Sequence, residues 1–253
     1  MTADEYIRWV LSRYEVPRGP FSQTELVAAQ LKPALTTWAG NALSQIAFSG
    51  SYAKGTGVKG TTDIDLFISL KADTSGTLKD IYENLFSFAN AKGWGPRRQN
   101  VSIGVNGGGV AIDLVPGRIQ NGYQNFHSLW RHKKGSWTQT NIALQISTVQ
   151  ASGRIEEIRA LKVWRQNHGL DFPSFYLELT VLDALYRKPQ GQLASNVLSV
   201  LSYLGESFAT ARVVDPSNTN NVVSDDLTAA EKKAIADQAK KSCQEESWTT
   251  ILW

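Results

Sequence analysis

The sequence predicts an α+β protein: a small mixed β-sheet lobe with N-terminal helices over residues 1–145, packed on a helical second lobe over residues 146–253, with a cleft between. Three observations predict it. Ile64 to Leu70 is a mostly apolar run of strand length, and two carboxylates, Asp63 and Asp65, stand two residues apart at its start. Gln99 to Val105 and Val110 to Leu114 flank Asn106-Gly107-Gly108-Gly109, the residue types of a hairpin turn. From about residue 141 the apolar residues recur at helical spacing, and no long linker, repeat or low-complexity tract interrupts the chain.

The 253 residues suffice for one large domain or two small lobes, with a substantial core either way. A hydrophobic content of 42% with 19% charged residues is that of an ordinary globular protein. No run approaches the roughly 18 apolar residues of a membrane span. Met1 to Tyr6 has neither the basic nor the apolar region of a signal peptide, so a cytoplasmic setting without membrane contact is expected. Cys243 is the only cysteine, which excludes an internal disulfide framework and a cysteine-built zinc site. A net charge of +3 suits nucleoside triphosphates and is too small to argue for extended nucleic-acid binding. The eight tryptophans read as a rigid aromatic core.

Tyr6, Trp9, Val10 and Tyr14 set a first helix over residues 1–16, which Pro17-Arg18-Gly19-Pro20 ends. Ser22-Gln23-Thr24-Glu25 is a capping box opening a second helix towards Trp38, with a kink expected at Pro33. Ala42 to Phe48 is a strand leading into the small-residue turn Gly50-Ser51. Thr77 to Asp80 starts a third helix, with Leu78, Ile81, Leu85 and Phe88 on one face and Gly93 as its stop. The strand returning from the glycine hairpin carries Asp113. It is expected in one antiparallel neighbourhood with the Asp65 strand and to close at Pro116-Gly117. His127 to Trp137 is a second hairpin turning at Lys134-Gly135, and its Arg131, His132, Lys133 and Lys134 read as a solvated tip.

Residues i and i+2 of a strand share a face, so Asp63 and Asp65 point the same way. Two like charges that close repel unless a cation sits between them. Hard oxygen ligands of this kind suit Mg²⁺, which fills its remaining positions with water and substrate phosphate. The glycine-rich stretch Gly55 to Gly60 can bring backbone N–H groups against such phosphates. With Asp113 there are three carboxylates on neighbouring strands, the requirement of a two-metal phosphoryl-transfer centre. Gly55-Thr56-Gly57-Val58-Lys59-Gly60 also matches G-x-G-x-x-G, but it leads into a strand, whereas a dinucleotide fingerprint follows a strand and opens a helix.

Arg154 to His168 reads as an amphipathic helix with Ile155, Ile158 and Leu161 on its apolar face. Lys162 falls seven residues after Ile155 and four after Ile158, hence on the inward stripe. An inward lysine either snorkels or meets an anion; beside a triphosphate it acts as a phosphate clamp, with Arg165 the competing candidate. Asp171-Phe172-Pro173-Ser174-Phe175 opens the next helix, whose N-terminus and Ser174 hydroxyl favour phosphate. Phe175 offers its ring to a base or to the core. Residues 188–212 are further helix and Val214 to Asp226 is a polar, turn-rich loop. Thr228 to Trp253 is a closing helix capped by Ser224 to Asp226.

Gly50-Ser51, Asp63-x-Asp65 and Asp113 resemble the catalytic signature of the DNA polymerase β-like nucleotidyltransferase superfamily. The wording Gly50-Ser51-Tyr52-Ala53-Lys54-Gly55-Thr56, with Leu161-Lys162-x-Trp164 and Pro173-Ser174-Phe175-x-Leu177-Glu178-Leu179, is most similar to the bacterial cyclic GMP-AMP synthase-like and oligoadenylate synthase-like branch, related to archaeal CCA-adding enzymes. This resemblance covers nearly the whole chain. It implies a metal-dependent enzyme that makes cyclic or linear oligonucleotide second messengers from ATP, GTP, UTP or CTP in bacterial antiviral signalling, as a monomer whose product meets a downstream effector. It further implies two Mg²⁺ ions, replaceable by Mn²⁺, at Asp63, Asp65 and Asp113. Gly50 and Ser51 would cradle the β- and γ-phosphates, Lys162 and Ser174 would hold the triphosphate, and Phe175, in place of tyrosine, would stack on a base. The alternative is template-independent addition to an RNA 3′ end, as in CCA-adding enzymes; those carry an additional RNA-grasping domain that this length does not accommodate. A non-catalytic nucleotide-binding module has no need of a carboxylate cluster.

Overall fold

The computed structural model describes residues 1–60 and 64–253. In chain order the elements are α1 (Ala3–Arg13), α2 (Gln23–Ala39), β1 (Leu43–Phe48), α3 (Gly50–Lys54), β2 (Ile64–Leu70), α4 (Leu78–Ala91), β3 (Arg97–Arg98), β4 (Ile103–Gly107), β5 (Val110–Gln120), β6 (Tyr123–Arg131) and β7 (Ser136–Thr140). There follow α5 (Ile142–Ala151), α6 (Ile155–Asn167), α7 (Ser174–Ala184), α8 (Leu193–Glu206), β8 (Val214–Asp215), β9 (Asn218–Val222), α9 (Ala229–Cys243) and α10 (Trp248–Ile251). Helices and a mixed sheet make this an α+β fold. Among the described residues no helix is long and apolar enough to cross a membrane.

The chain forms two compact units. One comprises Pro17–Ala53 and the chain from β2 through Ile146; the other comprises Met1–Val16, the segment starting at Lys54, and Ser147–Trp253. The units change over after Ile146, and α1 and the segment from Lys54 group with the helices and not with the sheet. The reason is burial: Ile7, Val10, Leu11 and Val58 share one core with Leu161, Trp164 and Leu201. Main-chain bonds agree, since Lys59 N–H donates to the Tyr14 carbonyl at 2.8 Å.

In the sheet unit the strands run in the order β1-β2-β5-β4-β3, with β6 paired to β5 and β7 to β6. Ile64, Leu66, Ile68 and Leu70 of β2 and Ile112 and Leu114 of β5 bury one face against Val27, Leu31 and Leu35 of α2 and Ile81, Tyr82 and Leu85 of α4. Alternation therefore puts Asp65, Phe67 and Ser69 on the opposite face. Two expectations are corrected here. β2 and β5 are parallel, not antiparallel, because the chain passes through α4 and it is the second strand of the glycine hairpin that lies against β2. Nor does Pro116 close β5, which continues to Gln120. β4 pairs with β5 only up to Leu114 and β6 only from Arg118, so the missing N–H of Pro116 falls where one neighbour hands over to the next. Pro33 sits inside α2.

The helical unit packs α1 and α5–α9 around Trp164, whose indole N–H donates to Ser242 Oγ at 3.0 Å. The aromatic-core reading holds for Trp164, whereas Trp9, Trp137 and Trp253 are exposed. The stretch expected as a polar loop contains the short hairpin β8–β9, which Asp215 braces by accepting from the Ser217 N–H and hydroxyl. The last helix is shorter than expected: Thr228, not Ser224 to Asp226, caps α9 in a reciprocal box with Glu231, and α10 is separate.

Candidate active site

In the sheet unit, the two described acids lie side by side. Asp65 on β2 and Asp113 on β5 are partners in the parallel register, so their side chains leave the same face at one level, about 4.8 Å apart in strand spacing. Asp63, the third expected acid, lies outside the described residues. Behind the pair, the Ser49 N–H donates to the Asp65 carbonyl at 2.9 Å and ties the start of α3 to β2. Gly50 follows with φ +58°, and a Cβ on it would overlap the Asp65 carboxylate. Only glycine combines that conformation with that approach. Ser51, at the same turn, is half-buried. Tyr52 is buried one residue further, its hydroxyl donating to Glu25 Oε1 at 3.0 Å; burial first, and then Glu25, push its pKa up.

Asp113 is held by a bracket of neutral groups. Gln99 Nε2 donates to its Oδ1 at 2.9 Å. The Ser102 hydroxyl lies 2.8 Å from Gln99 Oε1 and 3.2 Å from Asp113 Oδ2, its one proton serving either. Tyr82, fully buried, donates towards the Gln99 and Ser102 carbonyls at 2.9 and 3.0 Å and pins the bend between β3 and β4. Gly104 is the antiparallel partner of Asp113, and a Cβ there would stand 2.8 Å from Gln99 Nε2 and 3.3 Å from Asp113 Oδ1. Its missing side chain makes room for the bracket. Sequence reasoning missed Gln99, Ser102 and Gly104. The hairpin turn at Gly108-Gly109 could have found the glycine, since residues equidistant from it pair.

Two aspartates at one level, with a glycine turn pressed against one of them, fit a hard divalent cation. Among the described residues no group of three histidine, cysteine, aspartate or glutamate side chains gathers as a metal site.

In the helical unit a second polar cluster forms. Lys162 is on the inward stripe of α6 as expected, but its ammonium turns into the protein, donating to Glu178 Oε1 at 2.6 Å and Thr56 Oγ1 at 3.0 Å. Glu178 Oε1 also accepts from Thr56 Oγ1 at 2.5 Å, and its Oε2 from Lys54 Nζ at 2.8 Å. Glu178 and Lys162 are 0% and 1% exposed. Burial drives the Lys162 pKa down to about 8 against the opposing pull of Glu178. Burial alone would raise Glu178, but Lys162 and Lys54 hold it down to about 2. One turn away, Arg165 donates to Ser174 Oγ at 3.1 Å. Ser174 is the first residue of α7 and Glu178 lies four residues on, so both share one helix face. The Phe175 ring packs against the unit's core and carries the Lys54 ammonium 4.2 Å from its centroid. Lys162, Ser174 and Phe175 are thus brought into one network. Its centre, Glu178, was missed, although a lone acid within the apolar run Phe175 to Leu182 was the available signal.

The basic tip expected at Arg131 to Lys134 is solvated from His132 to Lys134, and His132 stacks on Tyr82 at 5.5 Å.

Residues 35–94, which include Gly50, Ser51 and both residues of the Asp-x-Asp pair, match the nucleotidyltransferase domain family. A curated relative, cyclic AMP-AMP-AMP synthase of Escherichia coli (strain MS 115-1), is 24% identical over 76% of this chain and 72% of its own length. Among solved structures, E. coli MS115-1 CdnC with ATP matches at TM-score 0.75 and 21% identity, over 94% of this chain and 89% of that one. Cid1 poly(U) polymerase matches at TM-score 0.69 and 12% identity, over 98% and 97%. At these identities the structural likeness is one of fold.

Proposed function

We propose that this chain, a nucleotidyltransferase with the fold of the DNA polymerase β-like superfamily, joins nucleoside triphosphates to one another and releases short cyclic or linear oligonucleotides as second messengers. The observation that carries the reading is the pairing of Asp65 with Asp113 at one level of two parallel strands, with Gly50 pressed against Asp65. The likeness to cyclic AMP-AMP-AMP synthase supports a nucleotide acceptor over an RNA end.

Asp65 and Asp113, with Asp63, would hold two Mg²⁺ ions, or Mn²⁺ in their place. When bound, such ions neutralise triphosphate charge and lower the pKa of an attacking hydroxyl. The remaining work falls to the chain's own groups. Gly50, lacking a side chain, leaves room beside Asp65, and the Gly50-Ser51 turn offers its backbone N–H groups and a hydroxyl to the β- and γ-phosphates. Gln99 and Ser102 fix the rotamer of Asp113, so that its carboxylate is preorganised and does not reorient during transfer. From α6 and α7 the resemblance assigns Lys162, Ser174 and Phe175 to the nucleotide; Lys162 serves through its buried pair with Glu178 instead of as an open clamp. A role in cytoplasmic antiviral signalling as a monomer, with an effector that reads the product, belongs to the same proposal.

The test is incubation of the purified protein with all four NTPs and Mg²⁺ or Mn²⁺, followed by mass spectrometry of the protein-free filtrate. Oligonucleotides that vanish with Asp63→Ala/Asp65→Ala are expected. An empty filtrate, together with labelled nucleotide on added RNA, would move the assignment to RNA 3′-end addition.

A further inference from the structure

One buried carboxylate joins every segment of the helical unit to which the proposed reaction assigns a nucleotide contact. Glu178 receives Lys54 and Thr56, which follow Ser51 of the phosphate-binding turn by three and five residues. It receives Lys162 from α6. On its own helix it lies one turn beyond Ser174, which accepts from Arg165. The spacings are short, 2.5, 2.6 and 2.8 Å, and the acid is fully enclosed. Charge-assisted bonds of this length are stronger and more directional than neutral ones, and a low dielectric strengthens them further. The same apolar surroundings make the cluster expensive as mere packing. A buried ion pair is weak evidence for stability, because a well-packed apolar replacement often serves as well or better. Specific placement is what such a cluster supplies and apolar side chains do not.

We propose that Glu178 is a positioning residue for nucleotide binding: by accepting from Lys54, Thr56 and Lys162 at once, it sets the path of the segment from Lys54 to Thr56 relative to α6 and the start of α7. The inference rests on the nucleotidyltransferase reading and adds a residue outside the aspartate set. The groups facing it are Lys54, Thr56 and Lys162, with Arg165 one turn along α6. Lys54 is itself fixed by two contacts, to Glu178 Oε2 and to the Phe175 ring, so a change at Glu178 reaches the aromatic residue as well.

The experiment compares full-length wild type, Glu178→Gln, and the charge-balanced Glu178→Gln/Lys54→Met, measuring melting temperature together with kcat and KM for NTP. Glutamine retains the shape and one acceptor but loses the charge. The double variant removes one cation with the anion, so it keeps the cluster's net charge and remains the informative protein if the single variant does not fold. The expected result is a KM raised about tenfold or more in both variants with kcat within about threefold of wild type, matching the loss of one charge-assisted bond from the positioning network. A KM unchanged in either folded variant, whatever happens to the melting temperature, would overturn the proposal and leave Glu178 a structural residue. A KM restored in the double variant would overturn it too, since charge balance would then be all that Glu178 supplies. A wild type inactive on every NTP would instead overturn the underlying nucleotidyltransferase reading, an outcome distinct from both.

Discussion

Gly50 is the residue at which a single methyl group probes the site most sharply. Its φ of +58° is costly for any side-chain-bearing residue, by about 1 kcal/mol. The larger effect is local: a Cβ at this position would overlap the Asp65 carboxylate, so Gly50→Ala must displace that side chain, the turn, or both. A misplacement of about 1 Å in a preorganised site costs about 10²-fold in rate. Gly50→Ala is therefore expected to fold, with a melting temperature only a few degrees below wild type, and to lose about 10²-fold or more in kcat/KM. The assay is pyrophosphate release from NTP and Mg²⁺ beside a thermal melt of the same samples. Activity within about threefold of wild type would refute the reasoning, because Asp65 would then tolerate the displacement that the geometry forces on it.

Gln99→Leu removes the donor that orients Asp113, and kcat is expected to fall about tenfold with the fold intact, measured by the same assay; an unchanged kcat would mean the bracket is ornamental. Glu178 gives an acid-stability prediction. Its pKa is depressed from 4.5 to about 2, so the unfolded chain binds its proton first, and the contribution is whole above about pH 4.5 and lost as pH falls from there towards 2. Glu178→Gln should flatten the stability profile over this window in denaturant titrations at stepped pH. A chelator in excess over divalent cations should abolish product formation and leave the circular dichroism spectrum unchanged; turnover without divalent cations would contradict the assignment of the aspartates.

Much of this was legible because local chemistry and fold agree. Asp65 near the head of an apolar strand, Asp113 on the far arm of a glycine hairpin, and Thr77 opposite Asp80 at the start of α4 need no long-range information. What failed was direction and distance. An alternating pattern is identical for parallel and antiparallel pairing, so the sequence does not carry the parallel sense of β5 beside β2. Pro116 is a strand breaker only where an N–H is required, and between the reaches of β4 and β6 none is. α1 reads as a neighbour of α2 along the chain, yet its apolar face belongs with Trp164. Glu178 is the plainest case. Its partners Lys54 and Thr56 are 124 and 122 residues away, and no spacing rule links them. Lys162 was correctly set facing inward, but an inward lysine is equally a ligand for a phosphate or for a buried acid, and only the packed structure distinguishes them.

The most direct test of the central claim follows the α-phosphate. Wild type, Asp65→Asn and Asp113→Asn are incubated with α-labelled NTP and Mg²⁺, and incorporated label is compared with pyrophosphate released. Wild type should yield one pyrophosphate for each α-phosphate incorporated, and each variant should lose at least about 10³-fold in rate with its melting temperature preserved. Near-wild-type incorporation by either variant would contradict the account.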